Sequence, residues 1–183
     1  MIESESLLHR PSPTIPYRPA RLSLEISQAV VDATMAAFES GARRQVEMCC
    51  FWYGVALAED WDRVLAIVIP PQLNSWGNYQ VSQSAISKVF QATRPLGLRN
   101  LGQLHSHPGT AVEHSRYDDQ MANSRKALSL VLPQYGRSGS SIGNSWGVHD
   151  FQNDYWHLLT APEVSARITL IKDYGPVPLL DLR

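Results

Sequence analysis

Two histidines and an aspartate are spaced so that they could hold one metal ion. His105 and His107 stand two residues apart, just before Pro108. If this segment is a strand, both imidazoles project from the same face, and the proline stops the strand beside an opening. Asp118 follows in the first turn of a predicted helix. Two imidazoles and one carboxylate leave the fourth position of a zinc ion open to water, which is typical of catalytic rather than structural zinc.

Each part of this pattern also has a simpler interpretation. A His-x-His pair on a strand is more often exposed or hydrogen-bonded than bound to metal. Ser115-x-x-Asp118 is by itself a helix capping box, although a capped helix start also tolerates a ligating carboxylate. Ser106 points away from the metal face and is expected to be structural. Three other residues could offer ligands but are expected to be solvated surface: Glu113, His114 and Asp119. The remaining histidines receive no predicted role: His9, His149 and His157.

Strands and helices must bring these residues together, and both patterns occur along the chain. Residues 47–57 are almost wholly apolar and rich in aromatics, which indicates a central strand buried on both faces. Further strands or apolar stretches are predicted at 21–26, 64–69, 98–107, 130–133, 146–151, 155–159 and 168–171. Helices are predicted from the N-cap Ser27 to about Gly41, over 81–93 and over 115–128. Because no strict βαβ repeat is present, we expect an α/β or α+β fold with a mixed sheet.

The composition is that of a globular protein rather than a disordered one. The 183 residues are 44% hydrophobic and 18% charged, enough for one domain with a buried core. The net charge of −1 gives no strong field that would recruit nucleic acid or an anionic membrane. No apolar run reaches the length of a bilayer span, and the first residues lack the pattern of a signal peptide. We therefore expect neither nucleic acid nor membrane among the partners.

The two cysteines, Cys49 and Cys50, are neighbours within the apolar run. Neighbouring strand residues point to opposite faces, so a disulfide between them is not expected. The pattern favours buried, free thiols and a cytoplasmic location.

A proline-rich segment precedes the regular pattern. Residues 1–21 contain four prolines and little periodicity, which predicts an extended arm that is either loosely ordered or laid along the surface. Residues 22–183 are predicted to form the domain itself. The arm could cover the cleft, bind a partner or be disordered.

The motif around the histidines resembles the signature of the JAMM (JAB/MPN) metalloproteases. The string H-S-H-P, six residues, S-x-x-D matches that signature in residues and spacing. Upstream, the family pattern E-x-C-G-x-L-x-G is similar to the segment beginning at Glu47, which keeps the glutamate, Cys49 and Gly54. Cys50 and Trp52 depart from the pattern at packing positions. The resemblance covers about residues 22–151 and indicates a stand-alone prokaryotic JAB protein.

The resemblance implies a three-layer MPN fold, similar to that of cytidine deaminases, in which helices flank a mixed sheet. It implies one zinc ion per chain, held by His105, His107 and Asp118. Glu47 would act as general base; without the resemblance, it would be interpreted as a surface residue at the start of a strand. Ser115 would donate a hydrogen bond to the oxyanion of the tetrahedral intermediate.

The resemblance also implies a substrate class. Relatives commonly cut after the C-terminal Gly-Gly of ubiquitin-like proteins, so we expect deconjugation or precursor processing in a bacterial conjugation or antiviral defence system. Partners would be a ubiquitin-like protein with an extended tail and E1-like or E2-like proteins. Trp76 and Tyr79 could contact that substrate or simply pack. Alternatives are processing of a sulfur-carrier protein, hydrolysis of a small molecule, or a non-catalytic MPN scaffold, which would lack one or more of the five motif residues.

Overall fold

The computed structural model describes residues 10–19, 22–122, 124–137, 139 and 141–183. Its strands are β1 (Ser23–Ser27), β2 (Cys49–Ala58), β3 (Trp61–Ile69), β4 (Leu73–Ser75), β5 (Asn78–Gln80), β6 (Arg99–Ser106), β7 (Leu128–Leu132), β8 (Gly147–Gln152), β9 (Tyr155–Leu158), β10 (Ile168–Ile171) and β11 (Leu179–Asp181). Its α-helices are α1 (Gln28–Arg44), α2 (Gln83–Thr93), α3 (Arg116–Met121) and α4 (Ala161–Arg167). Single turns of 3-10 helix lie at Arg94–Leu96 and Gln134–Gly136.

One mixed sheet forms the centre of the fold. Its strand order is β10-β1-β3-β2-β6-β7-β8-β9, and β11 also pairs with β3. Strand β2 runs antiparallel to β3 and β6, whereas β6 and β7 are parallel. Strands β4 and β5 form a separate hairpin. The α+β class with a mixed sheet is confirmed.

Helices cover both faces of the sheet, and the alternation of side chains along β2 explains how. Cys50 and Trp52 belong to the larger core cluster, which also contains Val30 and Phe38 of α1. The intervening Cys49 and Phe51 belong to a second cluster on the other face, with residues of α2. Because β2 is apolar at every one of these positions, it lies at the centre of three layers. Both cysteines are buried and free, as predicted.

Gly54 of β2 occupies a position where a side chain does not fit. A Cβ atom there would overlap the carbonyl oxygen of Arg63 on β3, at an irregularity in the β2–β3 pairing. The glycine thus allows the close approach of the two backbones.

The structure differs from the predicted secondary structure at several places, among them residues 74–79, where a turn-like segment was expected and the short strands β4 and β5 form a hairpin. The helix expected over 115–128 ends at Met121, because Ala122 is extended and Leu128 already pairs with Gly102 of β6. Helix α4 and strand β11 were not predicted; α4 has only seven residues and β11 three, too short for a clear periodic signal.

The described part of the N-terminal arm lies against β8. Tyr17 donates a hydrogen bond from its hydroxyl to Asp150 (3.0 Å). The backbone N–H and C=O of Arg18 bond to the side chain of Gln152 at 3.1 and 2.7 Å. Residues 10–19 therefore follow the surface, one of the two predicted arrangements. Residues 1–9, 20 and 21 of the predicted arm, His9 included, lie outside the described residues. Within the described chain, no helix is long and apolar enough to cross a membrane.

Candidate metal centre

The end of β6 places the two predicted histidine ligands side by side. His105 is the last but one residue of β6 and His107 follows its end, so both imidazoles lie on one face. Their Nε2 atoms are 3.1 Å apart. His105 is fully buried, whereas His107 retains a small exposed fraction beside Pro108. His107 is therefore the histidine of the pair that stays in contact with solvent.

Helix α3 brings the carboxylate to this pair. Ser115 is its N-cap, and its backbone N–H and its hydroxyl both donate to Asp118 Oδ2 at 2.7 Å. The same carboxylate lies 3.2 Å from His105 Nε2 through Oδ1 and 3.4 Å from His107 Nε2 through Oδ2. The capping box and the convergence on the histidines therefore occur together.

The donor atoms of these three side chains fit a single small cation. They all lie within 4.8 Å of one another, and the three side chains form a group that could hold a metal ion. In a tetrahedral zinc site with bonds of about 2.0–2.1 Å, neighbouring ligand atoms are about 3.3–3.4 Å apart. The two Nε2 atoms, 3.1 Å apart, are close to this spacing. Asp118 approaches them with different oxygens, Oδ1 at 3.2 Å from His105 and Oδ2 at 3.4 Å from His107, so a small rotation of the carboxylate would bring one oxygen toward both histidines.

Hydrogen bonding favours the tautomer that binding requires. His107 Nδ1 is 3.1 Å from the carbonyl oxygen of Ala111, which makes Nδ1 the donor and leaves the Nε2 lone pair facing Asp118. His105 Nδ1 is buried and has no hydrogen-bond partner among the described residues, and its Nε2 faces the same point. Two imidazole nitrogens and a carboxylate that face each other this closely need a proton or a cation between them.

The charges in the group are strongly coupled. Burial alone would raise the pKa of Asp118, but the adjacent imidazoles of His105 and His107 hold that pKa well below its usual range. Burial acts to lower the pKa of His107, but Asp118 and Glu47 outweigh it, so the net shift is upward. The site therefore keeps an ionised carboxylate and attracts positive charge.

Glu47 lies beside this group, immediately before β2. Cys49 pairs with His105, and beyond that pair the N–H of Ser106 donates to the carbonyl oxygen of Met48 at 3.1 Å, so Glu47 comes close enough to His107 and Asp118 to feel their charges. Its side chain is 5% exposed, which contradicts the interpretation as a surface residue. Burial raises the pKa of Glu47 to about 8; the positive charge of His107 lowers it and the charge of Asp118 raises it. A carboxyl group that titrates near neutral pH is suited to exchanging protons.

This raised pKa predicts a pH-dependent stability of the metal-free protein. The folded chain keeps the Glu47 proton up to about pH 8, whereas the unfolded chain loses it above the ordinary value of 4.5. The free energy of unfolding therefore falls as pH rises through this window. We expect Glu47→Gln, which removes that ionisation, to be more stable than wild type at pH 9 by about 1–3 kcal/mol and nearly equal at pH 4.5.

Urea unfolding in the presence of a chelator measures this difference. Glu59→Gln is the matched control, because Glu59 is exposed in the turn after β2 and should change neither curve. Parallel pH profiles for wild type and Glu47→Gln would contradict a raised pKa.

The structure also shows polar residues whose role the sequence did not reveal. His114 was expected to be solvated, but it is buried: its Nδ1 is 3.0 Å from Asp119 Oδ1, and its Nε2 is 2.8 Å from Ser129 Oγ. Burial lowers the pKa of His114 well below the usual value. Asp119 also pairs with Arg10 of the arm at 2.8 Å. No sequence signal marks this pairing, because 109 residues separate its two members.

Of the other polar and aromatic residues named in the sequence analysis, some lie on the surface and some in the core. Glu113 is exposed, as expected. Tyr79 is buried and therefore has no surface that a partner could contact, whereas Trp76 is 71% exposed. Ser106 is buried, and its hydroxyl accepts a hydrogen bond from the N–H of Met48, which agrees with a structural role. His149 and His157 are both buried, and the ring of His149 stacks on that of His114 with 4.0 Å between centroids.

A family model of prokaryotic homologs of the JAB domain matches residues 27–147. The chain belongs to this family. The match includes the three ligand candidates, Glu47 and Ser115, so the JAB domain of this chain contains every residue of the motif. The resemblance of the signature to the prokaryotic JAB proteins is thereby confirmed.

Solved structures show the same JAB-like fold in other bacterial proteins. A solution structure of a protein from Desulfitobacterium hafniense is 16% identical, with a TM-score of 0.61, over 82% of this chain and 94% of that one. A solution structure of a protein from Salinibacter ruber is also 16% identical, with a TM-score of 0.52, over 86% of this chain and 95% of that one. Similarity at this level concerns the fold alone. No curated protein matches the sequence.

Proposed function

We propose that this JAB domain is a zinc-dependent peptidase that cuts after the C-terminal glycine of a ubiquitin-like protein. The observation that carries the proposal is the convergence of His105, His107 and Asp118 with a buried Glu47 beside them. The three side chains would hold zinc, and the fourth position would stay open for the reaction. A non-catalytic scaffold would have no reason to keep all five motif residues.

Glu47 is proposed as the general base and acid of the reaction. When bound, zinc would polarise the scissile carbonyl and acidify a water molecule. Glu47 would take the proton from that water and pass it to the leaving amine. Burial raises the pKa of Glu47 to about 8 in the metal-free chain, and the positive charge of bound zinc would lower that pKa toward neutrality, where the group can both accept and return the proton.

Ser115 is proposed as the donor to the oxyanion. Its hydroxyl now donates to Asp118 Oδ2 at 2.7 Å, while the backbone N–H of Ser115 makes a second bond to the same oxygen. Rotation of the hydroxyl toward substrate would therefore leave Asp118 with one hydrogen bond. Such a donor is typically worth about 10²–10³ in rate.

The surface next to the site supports a protein substrate. Trp76 and Leu73 are exposed on the β4–β5 hairpin, and Trp76 lines a cleft of about 480 Å³ with Pro108 and Gly109, which directly follow His107. A hydrogen bond connects the hairpin to the backbone of Glu47, the proposed base: Asn74 Nδ2 donates to the carbonyl oxygen of Glu47 at 2.5 Å. Exposed apolar residues beside a cleft are typical of a partner-binding surface.

A glycine-rich tail suits this geometry because glycine lacks a side chain and lets its backbone approach the site closely. The proposed setting is a cytoplasmic ubiquitin-like conjugation or antiviral defence system with E1-like and E2-like proteins. Processing of a sulfur-carrier protein would use the same bond and the same residues.

Metal analysis and one cleavage assay test this proposal. We expect close to one zinc per purified chain, and cleavage of a ubiquitin-like protein fused through Gly-Gly to a C-terminal reporter. A chelator should abolish cleavage and added zinc should restore it, while a Gly-Gly→Val-Val substrate is the matched control and should resist. Full activity in metal-free protein would refute the metal assignment. Zinc binding without cleavage of any such fusion would refute the substrate class.

A further inference from the structure

We propose that Arg10 of the N-terminal arm is a positioning residue of the metal centre, which holds α3 and its Asp118 in place through Asp119. This inference rests on the proposed metal site. Arg10 Nε donates to Asp119 Oδ2 at 2.8 Å, and its Nη atoms both lie 3.1 Å from the carbonyl oxygen of Trp156 on β9. Its guanidinium also stacks 4.2 Å from the ring centre of Tyr155. With 10% of its side chain exposed, Arg10 is held from three sides.

The contact continues from Arg10 into the core. The other oxygen of Asp119 bonds to His114, and His114 bonds in turn to Ser129, the second residue of β7. The ring of His114 packs against that of His105, with 5.6 Å between centroids. These contacts form a brace that joins the arm, α3 and β7, and its members are Arg10, Asp119, His114 and Ser129. Through His114 the brace touches the candidate ligand His105 directly.

The order of Asp119, His114 and Ser129 is the same as in a nucleophilic Asp-His-Ser triad. Ser129, however, is 1% exposed and lies between β6 and β8 in the sheet. A nucleophile must reach its substrate, so this arrangement supports structure rather than a second reaction.

The apolar packing of helix α3 on the core comes from Met121, which is half-buried against the second cluster at the end of the helix, and the brace adds a polar contact at Asp119. Of its six residues only Asp118 is buried. Two hydrogen bonds also connect α3 to other elements. The hydroxyl of Tyr117 donates to the carbonyl oxygen of Tyr79 at 3.0 Å. The side-chain amide of Gln103 donates to the carbonyl oxygen of Met121 at 3.3 Å. A helix this short is not stable by itself, so its position is set by these contacts. Residues that orient a ligand from outside the coordination sphere typically change metal affinity by 10–100-fold.

Zinc affinity and hydrogen exchange test the brace on the full-length chain. We expect Arg10→Ala to weaken zinc binding about tenfold in competition with a chromogenic chelator, and to speed amide exchange in peptides that cover 115–122 in the metal-free protein. Arg10→Lys keeps the charge and should recover part of the affinity. Arg18→Ala is the matched control, because Arg18 is exposed and contacts Gln152 through its backbone.

Asp119→Asn examines the same brace from its other end and provides a second variant if Arg10→Ala folds poorly. The double variant Arg10→Ala/Asp119→Asn should weaken zinc binding by less than the product of the two single effects, since the variants share the loss of the Arg10–Asp119 pair although each also loses contacts of its own. Wild-type zinc affinity and exchange in Arg10→Ala and Asp119→Asn would overturn the inference while the proposed function stands. A wild-type chain that binds no zinc would instead refute the proposed function together with the metal part of this inference.

Discussion

Replacing Glu47 by glutamine is expected to lower kcat on a Gly-Gly fusion by about 10²–10⁴-fold while zinc remains bound. The substitution keeps the size and burial of the side chain and removes the group that moves the proton. Zinc stays because Glu47 lies outside the His105, His107 and Asp118 group. A loss in kcat with little change in KM would place the defect in the chemical step rather than in substrate binding.

The measurement requires both kinetics and metal analysis on the same preparation. Glu59→Gln serves again as control and should turn over substrate at the wild-type rate. Undiminished cleavage by Glu47→Gln would exclude Glu47 as the base. Loss of zinc along with activity would instead make Glu47 part of the metal site.

Replacing His107 by alanine is expected to weaken zinc binding by about 10²–10³-fold and to remove activity with it. Structural zinc sites with four protein ligands bind the ion with about 10–16 kcal/mol, or about 2.5–4 kcal/mol for each ligand, which corresponds to this factor. The variant should fold, because His107 lies after the end of β6 and keeps some exposure.

His157→Ala provides the control, since His157 is buried like the ligand pair but contacts the carbonyl oxygen of Gln152 and the rings of Tyr17 and Tyr155, none of which is a candidate ligand. It should bind zinc like wild type. Zinc affinity of His107→Ala within twofold of wild type, measured by competition with a chelator, would contradict the proposed ligand set.

Several features of the fold could be predicted because they depend on local patterns. The apolar run of β2 indicates a central strand, and its two cysteines are buried on opposite faces as expected. The two-residue spacing of His105 and His107 puts both imidazoles on one face of β6. The capping box at Ser115 correctly marks the start of α3.

Other features were predicted wrongly or missed because they depend on contacts with residues that are distant in the sequence. The pattern over 115–128 suits a helix, but pairing of β7 with β6 takes Leu128 into the sheet and ends α3 early. His114 looked like a loop residue, yet Asp119 and Ser129 enclose it in the core. Strand β11 is explained only by its pairing with β3.

The sequence by itself determined which residues belong to the candidate metal centre: the spacing of His105, His107, Ser115 and Asp118 is a local property of one strand and one helix start. The tertiary structure alone decided the raised pKa of Glu47, since burial depends on how the elements pack around it. It also decided the contact between Arg10 and Asp119, because 109 residues separate them and no short-range periodicity links them. Local spacing therefore marks the candidate ligands, whereas long-range packing sets the electrostatics around them and the contacts that support them.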